Sequence, residues 1–463
     1  MKTKLILLFL CSCHFSLMAQ ERFESYSKKD GLTSSEVTVT LADSRGVIWI
    51  GTSNGLTAYS GSKWYALKNV EDNESGKAKA FGRIEVLFED SKRNLWVSSS
   101  AGLFLFDGKS WTSFKKDDDD SYLPTNFVED RQGRIWIEYE YIQVINASVQ
   151  MNFKLTNGML HMYNSGRWIN FDDIIGGSST IVPGYPTTYF SNLFQDRMGN
   201  IWVGTQEGAF RFDGHSWSTF DEEDLKSEKV MCLMEDHQGG VWAGMDNGIA
   251  RQENDGWVNY KKKDGLNGSN VYQLIEDNQS RIWAFSRTNL KFAGLTMFAD
   301  EQWYPFTKKD YKLKNTIESL TMNQDEVIAF AKDGVAVFQN NLWHKYGKKE
   351  GLVDKHYFMI KKNRFGIWLA GETGFYQLKD GEWEQRFNSS EKWGVNVIFV
   401  EDQENIWLGT ERDGIYRYSD EKLEHFTEKS GLADDRILNI FKDKKGVVWI
   451  VSKSGVTRVL QGK

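Results

Sequence analysis

Histidine and carboxylate side chains are the residues of this chain that could carry acid–base or metal chemistry. Six histidines follow residue 20, and they stand at expected turns or beside tryptophans rather than at ligand spacing: His161, His215, His237, His344, His356 and His425. A zinc-type site needs three or four such ligands close together. No nucleophile elbow, phosphate-binding loop or zinc spacing is present either. The sequence therefore predicts no enzyme activity, no catalytic residue, no metal and no cofactor.

One carboxylate recurs at a fixed distance from a tryptophan. An aspartate stands six residues before the tryptophan seven times: Asp43, Asp90, Asp130, Asp196, Asp236, Asp277 and Asp443. An aspartate in a hairpin turn accepts backbone N–H bonds, and this structural role can recur where a catalytic one would not. We predict that role for all seven. The glutamates that precede several of them are interpreted as charges at strand ends: Glu89, Glu129, Glu235, Glu276 and Glu401.

The aspartates belong to a repeat that runs through the chain and must position any site. One set of tryptophans follows Ile, Val or Leu, mostly at steps of 39–47 residues, with Ile328 replacing a tryptophan once: Trp49, Trp96, Trp136, Trp202, Trp242, Trp283, Trp368, Trp407 and Trp449. A second set usually follows 15 residues later: Trp64, Trp111, Trp168, Trp217, Trp257, Trp303, Trp343 and Trp383. These sets account for 17 of the 18 tryptophans, so only Trp393 lies outside the repeat.

Each repeat is predicted to fold into four short strands. In the fifth, strands are expected at residues 230–235, 241–245, 249–253 and 257–261, separated by turns rich in Asp, Asn and Gly. Tandem units of this size indicate an all-β β-propeller of about ten four-stranded antiparallel blades. Residues 23–26 resemble the fourth strand that the last repeat lacks, and we expect them to close the final blade. A single ring is favoured, and two smaller rings remain an alternative.

Charge and the N-terminal segment indicate where the protein acts. The chain has 57 basic and 64 acidic residues, a net charge of −7, which argues against nucleic acid and anionic membranes as partners. Residues 1–19 read as a signal peptide with cleavage after Ala19, which leaves residues 20–463 as the propeller. Lipidation at Cys13 is the alternative. Both predict a periplasmic or secreted protein, and no transmembrane segment is expected. Cys232 is interpreted as a buried apolar residue.

The repeat resembles a known family. The pattern Asp-x-x-Gly-x-(Ile/Val)-Trp-(Ile/Val)-Gly-Thr-x-x-Gly occurs at residues 43–55 and 196–208, with a shifted copy at 402–414, and a linking Lys-Lys-Asp-Gly-Leu occurs at 28–32 and 262–266. It resembles the two-component regulator propeller repeat over residues 21–463. That resemblance implies a sensor-type propeller outside the cytoplasm, of the kind found in regulators that respond to glycans. The kinase and membrane segments of such regulators are not predicted in this sequence.

Candidate binding residues are expected where the repeat is interrupted or where its first strands begin. The interruptions are an insertion of about 17 residues after Trp136, the loop 172–189 and the segment 389–394. The candidates are aromatic, histidine and arginine side chains: Tyr139, Tyr141, Tyr185, Tyr189, His356, Trp393 and Arg436. Aromatic rings with neighbouring polar groups suit sugar binding. We favour a non-catalytic propeller that binds an oligosaccharide or another exported protein, such as a membrane sensor. A polysaccharide lyase or glycosidase and a structural scaffold are the alternatives.

Overall fold

The computed structural model of the chain describes residues 22–460 apart from 74, 115–121, 144–153, 172–191, 254–255, 289–291, 316, 324–325, 354–355, 364–365, 373, 380, 389–393, 403–404 and 420–421. The described residues form ten four-stranded antiparallel sheets and one two-stranded sheet, with only short helices. The predicted all-β propeller of ten blades is therefore confirmed.

The strands have the following bounds, given from blade one to blade ten. The first strands are Val37–Ala42, Ile84–Glu89, Tyr122–Glu129, Asn192–Gln195, Val230–Glu235, Asn270–Glu276, Ile317–Asn323, Tyr357–Asn363, Val395–Val400 and Ile437–Lys442. The second are Ile48–Thr52, Leu95–Ser99, Ile135–Gln143, Ile201–Thr205, Val241–Met245, Ile282–Thr288, Glu326–Ala331, Gly366–Gly371, Ile406–Thr410 and Val448–Ser452. The third are Gly55–Ser60, Gly102–Phe106, Lys154–Asn164, Gly208–Phe212, Gly248–Glu253, Phe292–Ala299, Gly334–Gln339, Gly374–Lys379, Ile415–Ser419 and Gly455–Leu460. The fourth are Lys63–Leu67, Trp111–Phe114, Arg167–Asn170, Trp217–Phe220, Gly256–Tyr260, Gln302–Phe306, Leu342–Tyr346, Glu382–Asn388, Lys422–Phe426 and, for blade ten, Arg22–Tyr26.

Short turns of helix connect several blades. The 3₁₀ turns are Lys28–Asp30, Lys262–Asp264, Lys348–Glu350 and Glu428–Ser430, and the α-helical turns are Glu222–Leu225 and Lys308–Tyr311. A small hairpin, Asn69–Glu71 with Ala78–Ala80, lies between blades one and two. In blade five the observed strands agree with the predicted ones to within one residue at each end. No helix among the described residues is long and apolar enough to cross a membrane.

The recurring aspartate ties a hairpin turn to the tryptophan beneath it. In blade one, Asp43 Oδ1 accepts the backbone N–H of Arg45 at 2.9 Å and that of Val47 at 2.8 Å. The predicted turn role is therefore confirmed. The structure adds a second role, because Asp43 Oδ2 accepts the indole N–H of Trp49 at 3.0 Å. The same indole–aspartate bond recurs in blades two to six and ten at 2.8–3.1 Å. In blade nine, Glu401 replaces the aspartate, 2.7 Å from Trp407 Nε1.

Tryptophans from adjacent blades pack against each other. The inner tryptophan of one blade meets the outer tryptophan of the next, with ring centroids 5.9–6.4 Å apart and ring planes at 80–89°. This edge-to-face geometry is the one that aromatic quadrupoles favour. Ten buried hydrophobic clusters each span one pair of adjacent blades, and one of them joins blade ten to blade one. The core is thus divided among the interfaces between blades.

The N-terminal strand closes the ring. Arg22–Tyr26 pairs antiparallel with Gly455–Leu460 along five residues, as the sequence predicted for residues 23–26. Phe23 packs against Phe426 of blade nine at 4.9 Å, and Tyr26 packs against Trp64 of blade one at 4.4 Å. Because blade ten takes strands from both ends of the described chain, its third strand, Gly455–Leu460, is paired on both sides and the blade has four strands like the others.

The glutamates at the ends of the first strands bind the adjacent blade. Glu89 accepts the backbone N–H and the hydroxyl of Ser44, both at 2.6 Å. Glu129 accepts the backbone N–H of Ser91 at 2.6 Å, and Glu276 that of His237 at 2.7 Å. We call this contact the glutamate clasp. The interpretation of these glutamates as simple strand-end charges was incomplete, because sequence periodicity does not show which turn of a neighbouring blade faces a carboxylate.

Candidate binding face at the channel mouth

The first strands surround the central axis. First strands of adjacent blades pack against one another, as Val37–Ala42 does with Ile84–Glu89 and Val230–Glu235 does with Asn270–Glu276. The strand order within each blade places the fourth strand at the opposite edge of the sheet. Residues at the start of the first strands therefore form one mouth of the channel.

A backbone hydrogen bond fixes the same position in several blades. The carbonyl oxygen of the residue just before the first strand accepts an N–H from the turn between the second and third strands of its own blade. This bond is 3.0 Å long from Ser53 to Glu36 and 2.8 Å long from Ser100 to Arg83, and equivalent bonds reach Lys229, His356, Gly394 and Arg436. The residue type at this position varies among these blades, with Glu, Arg, Lys, His and Gly all present and only arginine occurring twice, although the backbone geometry is shared. We call these residues the rim.

One ion pair spans the rim between blades one and two. Arg83 Nη1 lies 2.9 Å from Glu36 Oε1, and Arg83 Nε lies 3.2 Å from Glu85 Oε1. The hydrogen bond from Arg83 lowers the pKa of Glu36, whereas burial raises the pKa of Glu85. The side chains of Glu36 and Arg83 are 49% and 44% exposed, so a ligand at the channel mouth could reach both charges.

A β-bulge follows the rim in nine blades. The pairing between first and second strands skips one residue near the start of the first strand, for example between Val37 and Val39. A bulge leaves this extra residue unpaired and redirects its side chain. The skipped residues are chemically diverse: Thr38, Glu85, Thr125, Met231, Tyr272, Glu318, Phe358, Asn396 and Leu438. Since Tyr272 is 43% and Leu438 is 40% exposed, this position presents apolar groups at the channel mouth.

The glycine two residues after the inner tryptophan makes room for the bulged strand in blades one and nine. A Cβ atom on Gly51 would lie 2.7 Å from both Val39 and Ile84, and one on Gly409 would lie 2.5 Å from Ile437. Both glycines pair with the residue that follows the bulge. The bulge was not predicted from the sequence. A feature that indicates the bulge is the difference in strand length: the first strand of blade one, Val37–Ala42, has six residues, whereas the second strand, Ile48–Thr52, has five.

The predicted site residues fall into three groups. His356 and Arg436 both lie on the rim, in blades eight and ten, and Arg436 is exposed. Tyr139 is half-buried in the long hairpin of blade three, with its ring 4.8 Å from that of His161. Tyr141 lies in the same strand and pairs with Tyr122. The remaining predicted residues lie outside the described part of the chain: Tyr185, Tyr189 and Trp393.

A cavity of about 520 Å³ lies where blades five, six and seven meet. Its wall includes Ser280, whose Oγ lies 3.3 Å from His237 Nε2, and His237 Nδ1 contacts Glu276. A serine hydrolase uses this order of groups. Here, however, the His237–Glu276 contact is the glutamate clasp, with histidine where blades one and two have serine. A structural role therefore accounts for the pair.

The cationic groups of this cavity are already neutralised. Arg251 lies 3.1 Å from Glu301 and 3.3 Å from Glu253. Arg281 lies 2.6 Å from Asp277. Both guanidinium groups also stack over aromatic rings, including that of Trp242 at 5.1 Å from Arg251. Among the described residues, no group of three His, Cys, Asp or Glu side chains is arranged to hold a metal ion.

Two segments of the chain match the family model described as the two component regulator propeller, at residues 31–54 and 184–207. These segments are similar to the two component regulator propeller repeat. The resemblance predicted from the sequence is therefore confirmed, and residues 31–54 contain the Asp43–Trp49 unit of blade one. No curated protein matches the sequence.

Solved structures with related folds share little sequence with the chain. An extracellular domain of a hybrid two component system from B. thetaiotaomicron is 16% identical, with a TM-score of 0.32 over 95% of this chain and 66% of that one. PorZ, a surface component of the type-IX secretion system of Porphyromonas gingivalis, is 12% identical, with a TM-score of 0.32 over 92% and 74%. Virginiamycin B lyase from Staphylococcus aureus is 14% identical, with a TM-score of 0.33 over 59% and 95%. This chain spans just under two thirds of the B. thetaiotaomicron domain.

Proposed function

We propose that the protein is an exported, non-catalytic β-propeller that binds a ligand or a protein partner at the rim of its channel. The observation that carries this proposal is the contrast between constant and varied positions. The inner tryptophan, its aspartate and the turn glycines recur because each blade needs them for packing. At the rim the backbone hydrogen bond recurs while the side chain changes from Glu36 to Arg83, Lys229 and His356. A side chain with no repeated structural task is available for recognition.

The chemistry of the rim and of the bulge that follows it suits a polar ligand with an apolar face. Charged groups such as Glu36 and Arg83 can hydrogen-bond hydroxyl or carboxylate groups, and the exposed ring of Tyr272 offers a surface on which a sugar ring can stack. Concave sites that combine aromatic side chains with a few polar groups are typical of small-molecule binding. An oligosaccharide is therefore the favoured ligand class. A separate exported or membrane-bound sensor protein is the other partner that the family resemblance supports.

The first experiment tests binding at the rim directly. A panel of neutral and acidic oligosaccharides would be screened against the protein purified without residues 1–19, and the affinity of each hit would be measured by calorimetry. Tyr272→Ala should then weaken binding by about 10-fold, the loss expected when one aromatic contact worth about 1.4 kcal/mol is removed. Tyr65→Ala is the matched control, because Tyr65 is 51% exposed on the fourth strand of blade one, away from the channel.

The outcomes separate binding from its alternatives. Equal affinity of the Tyr272→Ala and Tyr65→Ala variants would show that the channel mouth at Tyr272 is not the site. Cleavage of an oligosaccharide during the assay would support a lyase or glycosidase instead. If no oligosaccharide binds and no exported protein forms a complex with the chain, the scaffold alternative is favoured.

A further inference from the structure

A second concave surface lies at the outer edge of the ring, away from the rim. It is a groove of about 890 Å³ between the fourth strand of blade seven, Leu342–Tyr346, and the turn Lys348–Glu350 that leads into blade eight. Five lysines and one histidine line it: Lys312, Lys314, Lys345, Lys348, Lys349 and His344. Only two acidic residues share its wall, Asp333 and Glu350. We call it the lysine groove.

Both carboxylates of the groove are already hydrogen-bonded within the fold. Asp333 accepts the backbone N–H of Lys314 at 2.7 Å and that of Asn315 at 2.9 Å, and its Oδ2 lies 3.3 Å from Lys345 Nζ. Although burial opposes the effect, these contacts lower the pKa of Asp333. Glu350 accepts the backbone N–H of Gly347 at 2.7 Å. The acidic groups therefore hold local structure and neutralise only Lys345 directly.

Four ammonium groups of the groove remain uncompensated. Lys312, Lys314, Lys348 and Lys349 are exposed, and their Nζ atoms have no carboxylate partner among the described residues. The cavity between blades five, six and seven is the opposite case, because its arginines are paired with acidic residues. A concentration of unpaired positive charge is notable in a chain whose net charge is −7. Charges that line one concavity focus their field on an anion within it.

We propose that the lysine groove binds a compact anion that carries two or more phosphate or sulfate groups. Lysine ammonium groups act as point charges that attract such groups without requiring a fixed geometry. The groove volume lies within the range of about 300–1,000 Å³ typical of small-ligand sites. Trp343 is buried against Trp283 and offers no open face for a neutral sugar. This inference is independent of the proposed function, since the groove lies on the outer edge of the ring.

Two probes of known charge test the proposal. Inorganic tripolyphosphate and sucrose octasulfate would be titrated calorimetrically into the full propeller, with sucrose as the uncharged comparison. We expect both anions to bind and sucrose to show no binding, and we expect affinity to fall as ionic strength rises from about 50 to about 300 mM, where screening shortens the reach of the charges. Binding of one anion only would show whether the groove prefers a phosphate chain or a sulfated saccharide, and would still support it.

Matched variants locate the binding. Lys348→Gln with Lys349→Gln should weaken the affinity for the bound probe at least fivefold, and Lys314→Gln, which removes another lining charge, should weaken it about twofold to threefold. The control is Lys28→Gln with Lys29→Gln, which removes the same charges from the equivalent 3₁₀ turn before blade one and should change affinity less than twofold. Equal losses in the two double variants would overturn the proposal, as would failure of both anions to bind. Unfolding curves confirm that each variant is folded.

Discussion

Removing the carboxylate of Asp236 should destabilise the propeller chiefly through the loss of a buried indole hydrogen bond. Asp236 is 4% exposed and accepts three hydrogen bonds: from the backbone N–H of Gln238 at 2.9 Å, from that of Gly240 at 2.8 Å and from Trp242 Nε1 at 2.8 Å. Trp242 is 1% exposed, so its N–H has no access to water when the carboxylate is removed. The perturbation is Asp236→Ala, with Asp236→Asn as the variant closest in shape.

The magnitude follows from these contacts. A hydrogen bond to a charged acceptor contributes about 1.5–3 kcal/mol, and an orphaned buried donor costs about 1–3 kcal/mol. The contributions overlap, so Asp236→Ala should lower the free energy of unfolding by about 3–5 kcal/mol. Asp236→Asn keeps one acceptor oxygen for the turn and should cost about 1.5–3 kcal/mol.

A double-mutant cycle isolates the indole bond. Free energies of unfolding would be measured by urea denaturation, followed by far-ultraviolet circular dichroism, for Asp236→Ala, Trp242→Phe and the double variant. Because Trp242→Phe removes the donor, we expect a coupling energy of about 1–3 kcal/mol between the two substitutions. The control cycle pairs Asp236→Ala with Trp257→Phe, since Trp257 Nε1 has no hydrogen-bond partner among the described residues. Coupling below about 0.5 kcal/mol in the first cycle, or equal coupling in both, would refute this account.

Three further predictions concern closure, pH and the lone thiol. Phe23→Ala should lower the free energy of unfolding by about 3 kcal/mol or more, because it removes an aromatic contact between the closing strand and blade nine, and thermal denaturation measures the loss. Hydrogen bonds from Ser75 and Ser113 outweigh burial and lower the pKa of Asp72 to about 2, so the stability that this carboxylate contributes is present above about pH 4 and is lost as the pH falls toward 2. Asp72→Asn should therefore remove part of the acid sensitivity between pH 4 and 2 in unfolding titrations, and an unchanged pH profile would contradict the assignment. Cys232, interpreted from the sequence as buried, is only partly buried, but the burial of its thiol still raises the thiol pKa to about 12. Iodoacetamide at pH 8 should therefore label it much more slowly in the folded protein than after denaturant is added, and rapid labelling of the folded protein would contradict the raised pKa.

The blades could be predicted from the sequence because packing makes the same demand of each one. The wedge-shaped space between two sheets needs a large side chain such as Trp49, and a tight turn needs an aspartate such as Asp43 and a glycine. The tryptophan and the turn residues therefore recur at regular intervals in the sequence. Blade seven was recognised without its tryptophan because the Asp-Gly turn that follows Ile328 keeps the register. The observed strand Glu326–Ala331 confirms that placement.

Features that depend on strand pairing or on contacts between repeats could not be predicted in the same way. The bulge at Thr38 is defined by pairing with the second strand, and no hydropathy pattern records it. The lysine groove joins Lys312 to Lys349 only because the turns around blade seven bring them to one surface. The candidate Tyr139 was selected as an interruption of the repeat, but the strand simply continues there and leaves the ring half-buried beside His161. His356 and Arg436 lie just before first strands, as the register of the repeat indicated, and their role in binding stays a prediction.

The closing strand also sets the order in which the fold can be completed. Residues 22–26 are the first part of the described chain to be synthesised, yet their partners are residues 456–460, the last part. Blade ten therefore cannot form until residues 456–460 have been synthesised, and the interface between blades ten and one cannot form before then. The two strands are more than 400 residues apart, but closing so long a loop costs little more conformational entropy than closing a shorter one. The entropic cost of loop closure grows only with the logarithm of loop length. The late step is thus limited by the availability of the last strand, and a chain released before that strand is made keeps an unpaired edge.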